Sequence, residues 1–120
     1  MTPTEIITAD AKSKGIDPKP IIQAMTQAVN SKKGILLKAE NSILFLLRIG
    51  EGAVEAHLFT VDSPLKVAKA LIDFIKKVRS SDIKVLYGSE EVPQLTKLLG
   101  NLDVIVEPSD NPKYKWMART

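Results

Sequence analysis

Five consecutive apolar residues, Ile43-Leu44-Phe45-Leu46-Leu47, lie within a strand-like run from Ser42 to Ile49 and constrain the fold more than any other stretch. A strand with one wet face alternates polar and apolar residues, whereas one that is apolar throughout has to be covered on both faces. The chain must therefore supply a layer on each side of a sheet. The run falls far short of the ~20 residues of a membrane helix. The start, Met1-Thr2-Pro3-Thr4-Glu5, also lacks the basic residues and apolar core of a signal peptide, so the expectation is a cytoplasmic chain with no membrane segment.

The flanking sequence provides those layers. Thr4 is expected to cap a short helix reaching about Lys14, with Ile6, Ile7 and Ala11 on one side and Gly15 with Pro18 ending it. Asp17 reads as the N-cap of a second helix opened by Pro18, carrying Ile21, Ile22, Met25, Ala28 and Val29 at helical spacing. Residues 1–33 thus form a helical cover, and residues 34–120 the sheet core of one domain. Ile35–Ala39, Ser42–Ile49 and Ala53–Val61 read as an antiparallel meander joined by Glu40-Asn41 and Gly50-Glu51-Gly52. The third strand alternates, with Glu55, His57 and Phe59 on one face and Val54, Ala56 and Leu58 on the other.

After the meander, strand and helix alternate. Ser63 is expected to cap and Pro64 to open a helix through about Arg79, followed by a strand at Ile83–Tyr87, a helix at Glu91–Leu99 and a strand at Asp103–Glu107 ended by Pro108. Strand, helix, strand within about thirty residues is a βαβ unit, so the strands at Val54–Val61 and Ile83–Tyr87 are expected to run parallel. Asn111–Met117 reads as a last strand at the sheet edge. The fold class is a mixed α/β sheet with helices on both faces.

Composition narrows the chemistry. With no cysteine and one histidine among 120 residues, disulfide scaffolds, thiolate metal centres and His-rich metal sites are excluded, and no metal site is expected. The net charge of +3 divides unevenly. The helix from Ser63 carries Lys66, Lys69, Lys76, Lys77 and Arg79 against Asp73, while Asp82–Asp110 holds six acids against Lys84 and Lys97. With so few aromatics beside it, this balance argues against nucleic acid as the partner. The lysine row is either a solvated face or a docking face for an acidic partner.

A three-stranded meander, then helix, strand, helix, strand and terminal strand, resembles the core of the GNAT superfamily of acyl-CoA-dependent N-acyltransferases over roughly Gly34–Trp116. The stretch Ala56-His57-Leu58-Phe59-Thr60-Val61-Asp62-Ser63-Pro64-Leu65, a strand ending in Tyr87-Gly88 and the Pro112-Lys113-Tyr114-Lys115-Trp116 tail resemble small GNAT-like proteins of tailed bacteriophages. The resemblance implies an acyl-CoA site at the turn after the third strand, with Val61, Ser63 and Lys66 as the cofactor-binding candidates, and a carboxylate base at Glu55. The family's glycine-rich turn, Arg/Gln-x-x-Gly-x-Gly/Ala, is however replaced by Ser63-Pro64-Leu65-Lys66-Val67-Ala68, which has no glycine and, at Pro64, no N–H. The family's tyrosine four residues before Gly-Phe is Thr96 here, before Gly100-Asn101.

Two groups of residues remain as candidates. Glu55 and His57, about 7 Å apart along one strand face, are either base and orienter over a bound amine or a pair on a half-solvated surface. Tyr114 and Trp116 are either interface anchors or rings capping the core. The expectation is a GNAT-like domain without acyltransferase activity and without a cofactor, acting through a protein partner or self-association, in the host cytoplasm or the virion if phage-encoded. The alternative is an N-acyltransferase that uses acetyl-CoA through an atypical turn.

Overall fold

The computed structural model describes residues 1–89 and 102–120. Among them are three helices, α1 (Pro3–Ser13), α2 (Pro18–Asn30) and α3 (Pro64–Arg79), and six strands, β1 (Gly34–Ala39), β2 (Ser42–Gly50), β3 (Ala53–Thr60), β4 (Val85–Gly88), β5 (Ile105–Pro108) and β6 (Trp116–Arg119). The sheet order is β1-β2-β3-β4-β6-β5. β3 and β4 are parallel, and every other neighbouring pair is antiparallel.

The doubly covered strand is where the apolar run predicted it. Leu44 and Leu46 join Val54, Leu71, Phe74 and Val78 in the main core beneath α3. Phe45 points the other way, into a smaller core with Ile7 of α1 and Met25 of α2. The third strand divides as its alternation requires, with Val54, Ala56 and Leu58 toward α3 and Phe59 toward the α1/α2 layer. No helix of the described residues is long and apolar enough to cross a membrane.

Three expectations are corrected. The first helix is capped by Thr2, not Thr4: the Thr2 hydroxyl accepts the Glu5 N–H, the Glu5 carboxylate accepts the Thr2 N–H, and Pro3 takes the first helical position. Ser63 precedes α3 as expected but makes no side-chain capping bond. The last strand begins at Trp116 and lies inside the sheet, between β4 and β5, so that β5 forms the edge. Pro108 explains the exchange, because a residue without an N–H is tolerated where no neighbouring strand needs it. The helix expected at Glu91–Leu99, with Thr96, Gly100 and Asn101, lies outside the described residues.

β3 and β4 pair only through Ala53–Val85, Val54–Leu86 and Glu55–Tyr87. Beyond Glu55 the two strands part, and among the described residues β3 continues to Thr60 without a partner on that side. The divergence sets the two ends of β3 in different surroundings.

Candidate functional site

Where β3 and β4 begin to part, three elements bring polar side chains together on the α1/α2 face. Glu55 and His57 project from β3 two residues apart, and His57 Nε2 is 2.5 Å from Glu55 Oε1. Tyr114, from the connection between β5 and β6, donates its hydroxyl to Glu55 Oε2 at 2.6 Å. Tyr87, the register partner of Glu55 on β4, stacks against the Tyr114 ring with centroids 5.2 Å apart. It donates its own hydroxyl to Asp110 Oδ1 at 2.8 Å. Residues 109–115 therefore form a strap across the end of β4, pinned by Lys115 N–H to Gly88 O and closed on itself by Tyr114 N–H to Asn111 O.

The electrostatics follow from these contacts. Burial pushes the Glu55 carboxyl up, but the hydrogen bonds from Tyr114 and His57, with the positive charges of His57 and Lys113, outweigh it and leave Glu55 below the usual carboxylate range. Tyr114 moves the opposite way. Burial, then its bond to the Glu55 carboxylate, pushes the phenol up to about 12. Tyr87 is raised by its bond to Asp110 and by burial. Both Glu55 oxygens are thus occupied, and a carboxylate held ionised in this way is a weak base. The His57 side chain is the accessible member, 39% exposed against 17% for Glu55. In its neutral form an imidazole donating from Nε2 to a carboxylate keeps Nδ1 as an acceptor, so proton transfer at this site would fall to His57 with Glu55 as orienter.

The hydroxyl of Tyr114 gives a direct test. Tyr114→Phe removes a hydrogen bond to a charged group and is expected to cost about 1.5–3 kcal/mol in urea unfolding. It also raises the Glu55 pKa toward an ordinary glutamate, readable by NMR titration of the side-chain carboxyl. Because the folded Glu55 pKa lies below its unfolded value, its stabilisation is present above the unfolded pKa and is lost as pH falls through the folded one. Acid unfolding of the Phe variant should therefore depend less on pH between those two values. An unchanged Glu55 titration would contradict the assigned role of Tyr114.

The other candidates lie elsewhere. Val61, Ser63 and Lys66 are six or more residues along from Glu55, about 20 Å of extended strand for Val61, and do not join the Glu55 cluster. At that end, Val61 N–H is donated to Asn41 O at 3.3 Å. Asp62 Oδ2 accepts Asn41 N–H and the Ser42 hydroxyl, both at 2.8 Å, and the buried Ser42 also bonds Thr60. One backbone donor of the turn is already used, Pro64 offers none, and a carboxylate stands beside it. These residues do not fit a pyrophosphate cradle. Trp116 lies over Gly88 and, with Ala56, Leu58 and Leu86, lines a hollow of ≈ 50 Å³ beneath the diverging strands. That is far below the ~300 Å³ of a small-molecule pocket.

Tyr114 is buried, at 6% exposure, and Trp116 is half-buried against the main core. The sequence leaves Tyr114 and Trp116 as interface anchors or as rings capping the core, and leaves Tyr87 and Asp110 outside the site. The signal available was the scarcity of aromatics: both tyrosines of the chain meet here. Among the described residues no three His, Asp or Glu side chains are grouped to hold a metal.

No protein-family profile matches the chain, and no curated protein is similar to it. Among solved structures, it is similar to the crystal structure of aminoglycoside 6'-acetyltransferase type Ii, with a TM-score of 0.61 at 14% identity, over 98% of this chain and 86% of that one. At that identity the likeness concerns the fold alone: the chain has a GNAT-like fold, a mixed sheet with helices on both faces.

Proposed function

We propose that this chain is a GNAT-like domain that works by binding and assembly rather than by acyl transfer, as an accessory or structural protein of a tailed bacteriophage. The observation that carries this reading is the turn after β3, where Val61 N–H is spent on Asn41, Pro64 has no N–H and the Asp62 carboxylate is clamped beside the helix start. The phage setting rests on the resemblance of residues 56–65 and of the Tyr-Gly and Pro-x-Tyr-x-Trp segments. Isothermal titration with acetyl-CoA is expected to show no binding at micromolar concentration. Micromolar binding competed by CoA would overturn the reading.

A second reading, an acyl-CoA-dependent N-acyltransferase with an atypical turn, is favoured by the Tyr114–Glu55–His57 chain of hydrogen bonds and its exposed imidazole. Incubation with acetyl-CoA and a panel of amines separates the two. The binding reading expects no thiol release beyond that of a Glu55→Gln control, whereas release lost in that control would establish the second.

A further inference from the structure

The two edges of the sheet are finished differently. The β5 edge is four residues long, contains Pro108 and has Glu107 tied to Arg119, features that discourage pairing with another strand. The β1 edge has none of them. Its sequence is Gly34-Ile35-Leu36-Leu37-Lys38-Ala39, six residues of which all but Lys38 are half-buried. Arg48 N–H donates to Lys33 O, which sets the alternation of the β1–β2 ladder: Ile35, Leu37 and Ala39 bond inward to Leu46, Leu44 and Ser42. The N–H and C=O groups of Gly34, Leu36 and Lys38 therefore point outward, and among the described residues they make no backbone hydrogen bond.

We propose that this edge pairs with the same edge of a second copy, antiparallel and centred on Leu36, joining two sheets into one. That register sets Leu36 opposite Leu36 and Gly34 opposite Lys38, matching outward groups to outward groups in about six hydrogen bonds. It keeps the two Lys38 side chains apart. Just beyond the strand, the Glu40 turn of each copy comes to the same end of the paired edge as the Lys32-Lys33 turn of the other, two mirrored sets of opposite charges; these three side chains form no ion pair within the chain among the described residues. On the α2 side, a hollow of ≈ 200 Å³ lined by Ile7, Ile22, Met25 and Val29 reaches Leu36, and Val29 is 41% exposed. The twofold axis brings the Leu36 side chains of the two copies together beside that hollow. The pairing requires nothing of the Glu55 site, so it stands or falls separately from the acetyl-CoA titration.

Light scattering at about 100 μM chain should give twice the chain mass. Lys38→Pro deletes one outward N–H per copy without touching the ladder to β2, so it should keep the parent's thermal melt at a dilution where both are monomeric and weaken the dimer about 30-fold or more. Lys38→Thr, which keeps the N–H, should remain dimeric. Because the chain has no cysteine, Leu36→Cys is a clean reporter: Cα atoms facing each other about 5.5 Å apart are within disulfide reach, and mild oxidation should give a covalent dimer, whereas Ile105→Cys on the far edge should not. A monomeric parent, a Lys38→Pro variant that dimerises as tightly as the parent, or Leu36→Cys failing to link overturns the proposal. Should Lys38→Pro fail to fold, the cysteine pair decides it.

Discussion

Gly88→Ala should destabilise this protein by about 3 kcal/mol, lowering the melting temperature by roughly 10 °C, although only one methyl group is added. The Trp116 indole lies flat on Gly88, its register partner on the neighbouring strand, and a Cβ there would overlap ring atoms Cε2 and Cζ2. The indole cannot swing clear without leaving Ala56, Leu58 and Leu86, the residues with which it lines the hollow under the diverging strands. Trp116→Ala alone should cost about 3 kcal/mol through lost burial. Combined with Gly88→Ala it should cost less than the two single changes together, by about 1–3 kcal/mol, because the second substitution no longer meets a ring. Urea unfolding of the four proteins measures that coupling. Additive costs would show that the indole does not seat on Gly88.

A comparable loss, about 3–5 kcal/mol, is expected for Phe74→Ala. Phe74 is fully buried in the middle of α3 and touches the hollow from below, opposite Leu44 and Leu58. The truncation would enlarge a space that already exists, between a sheet and a helix held at both ends, so little collapse is available to offset it. Phe74→Leu should recover most of the stability. A loss below about 1 kcal/mol in the Ala variant would mean that α3 shifts onto the sheet, and urea unfolding would show it as an altered m-value.

Much of this architecture was legible from local pattern. The bounds of α2, with Asp17 as N-cap and Pro18 at its first turn, agree with the reading, and so do those of α3. The same holds for the meander and for the division of β3 into two faces. These features depend on residues within a few positions of one another: a cap bonds two or three residues ahead, and alternation is decided by the backbone itself. The first helix shows the limit of even that rule. Thr2 and Thr4 are chemically equivalent caps, and the choice fell to Thr2 because Glu5 stands three residues on and Pro3 cannot donate an N–H.

The candidate site was half legible. Glu55 and His57 were readable as a pair because a strand places alternate residues on one face. What the pair becomes was not. Tyr114 is 59 positions from Glu55, and its hydroxyl reaches that carboxylate only because β6 is inserted between β4 and β5 and carries the strap back across Tyr87. A hairpin can add to a sheet by either strand with the same alternation of side chains, so the periodicity of residues 105–119 does not distinguish the two. Pro108 could have done so, since β5 suits the edge better than the interior.

By itself, the sequence determined a doubly covered central strand, two helical layers, a parallel crossover and the absence of thiolate or His-rich metal chemistry. The physical reason is that burial periodicity and donor chemistry belong to short stretches of chain. Only the tertiary structure decided that Glu55 is held ionised by Tyr114 and His57, that the turn after β3 is tied to the β1–β2 turn through the Val61 N–H and the Asp62 carboxylate, and that, among the described residues, β1 forms an edge without a proline or an ion pair. Each of these joins groups distant in the chain, and which distant groups meet is settled by strand order, a property of the whole sheet.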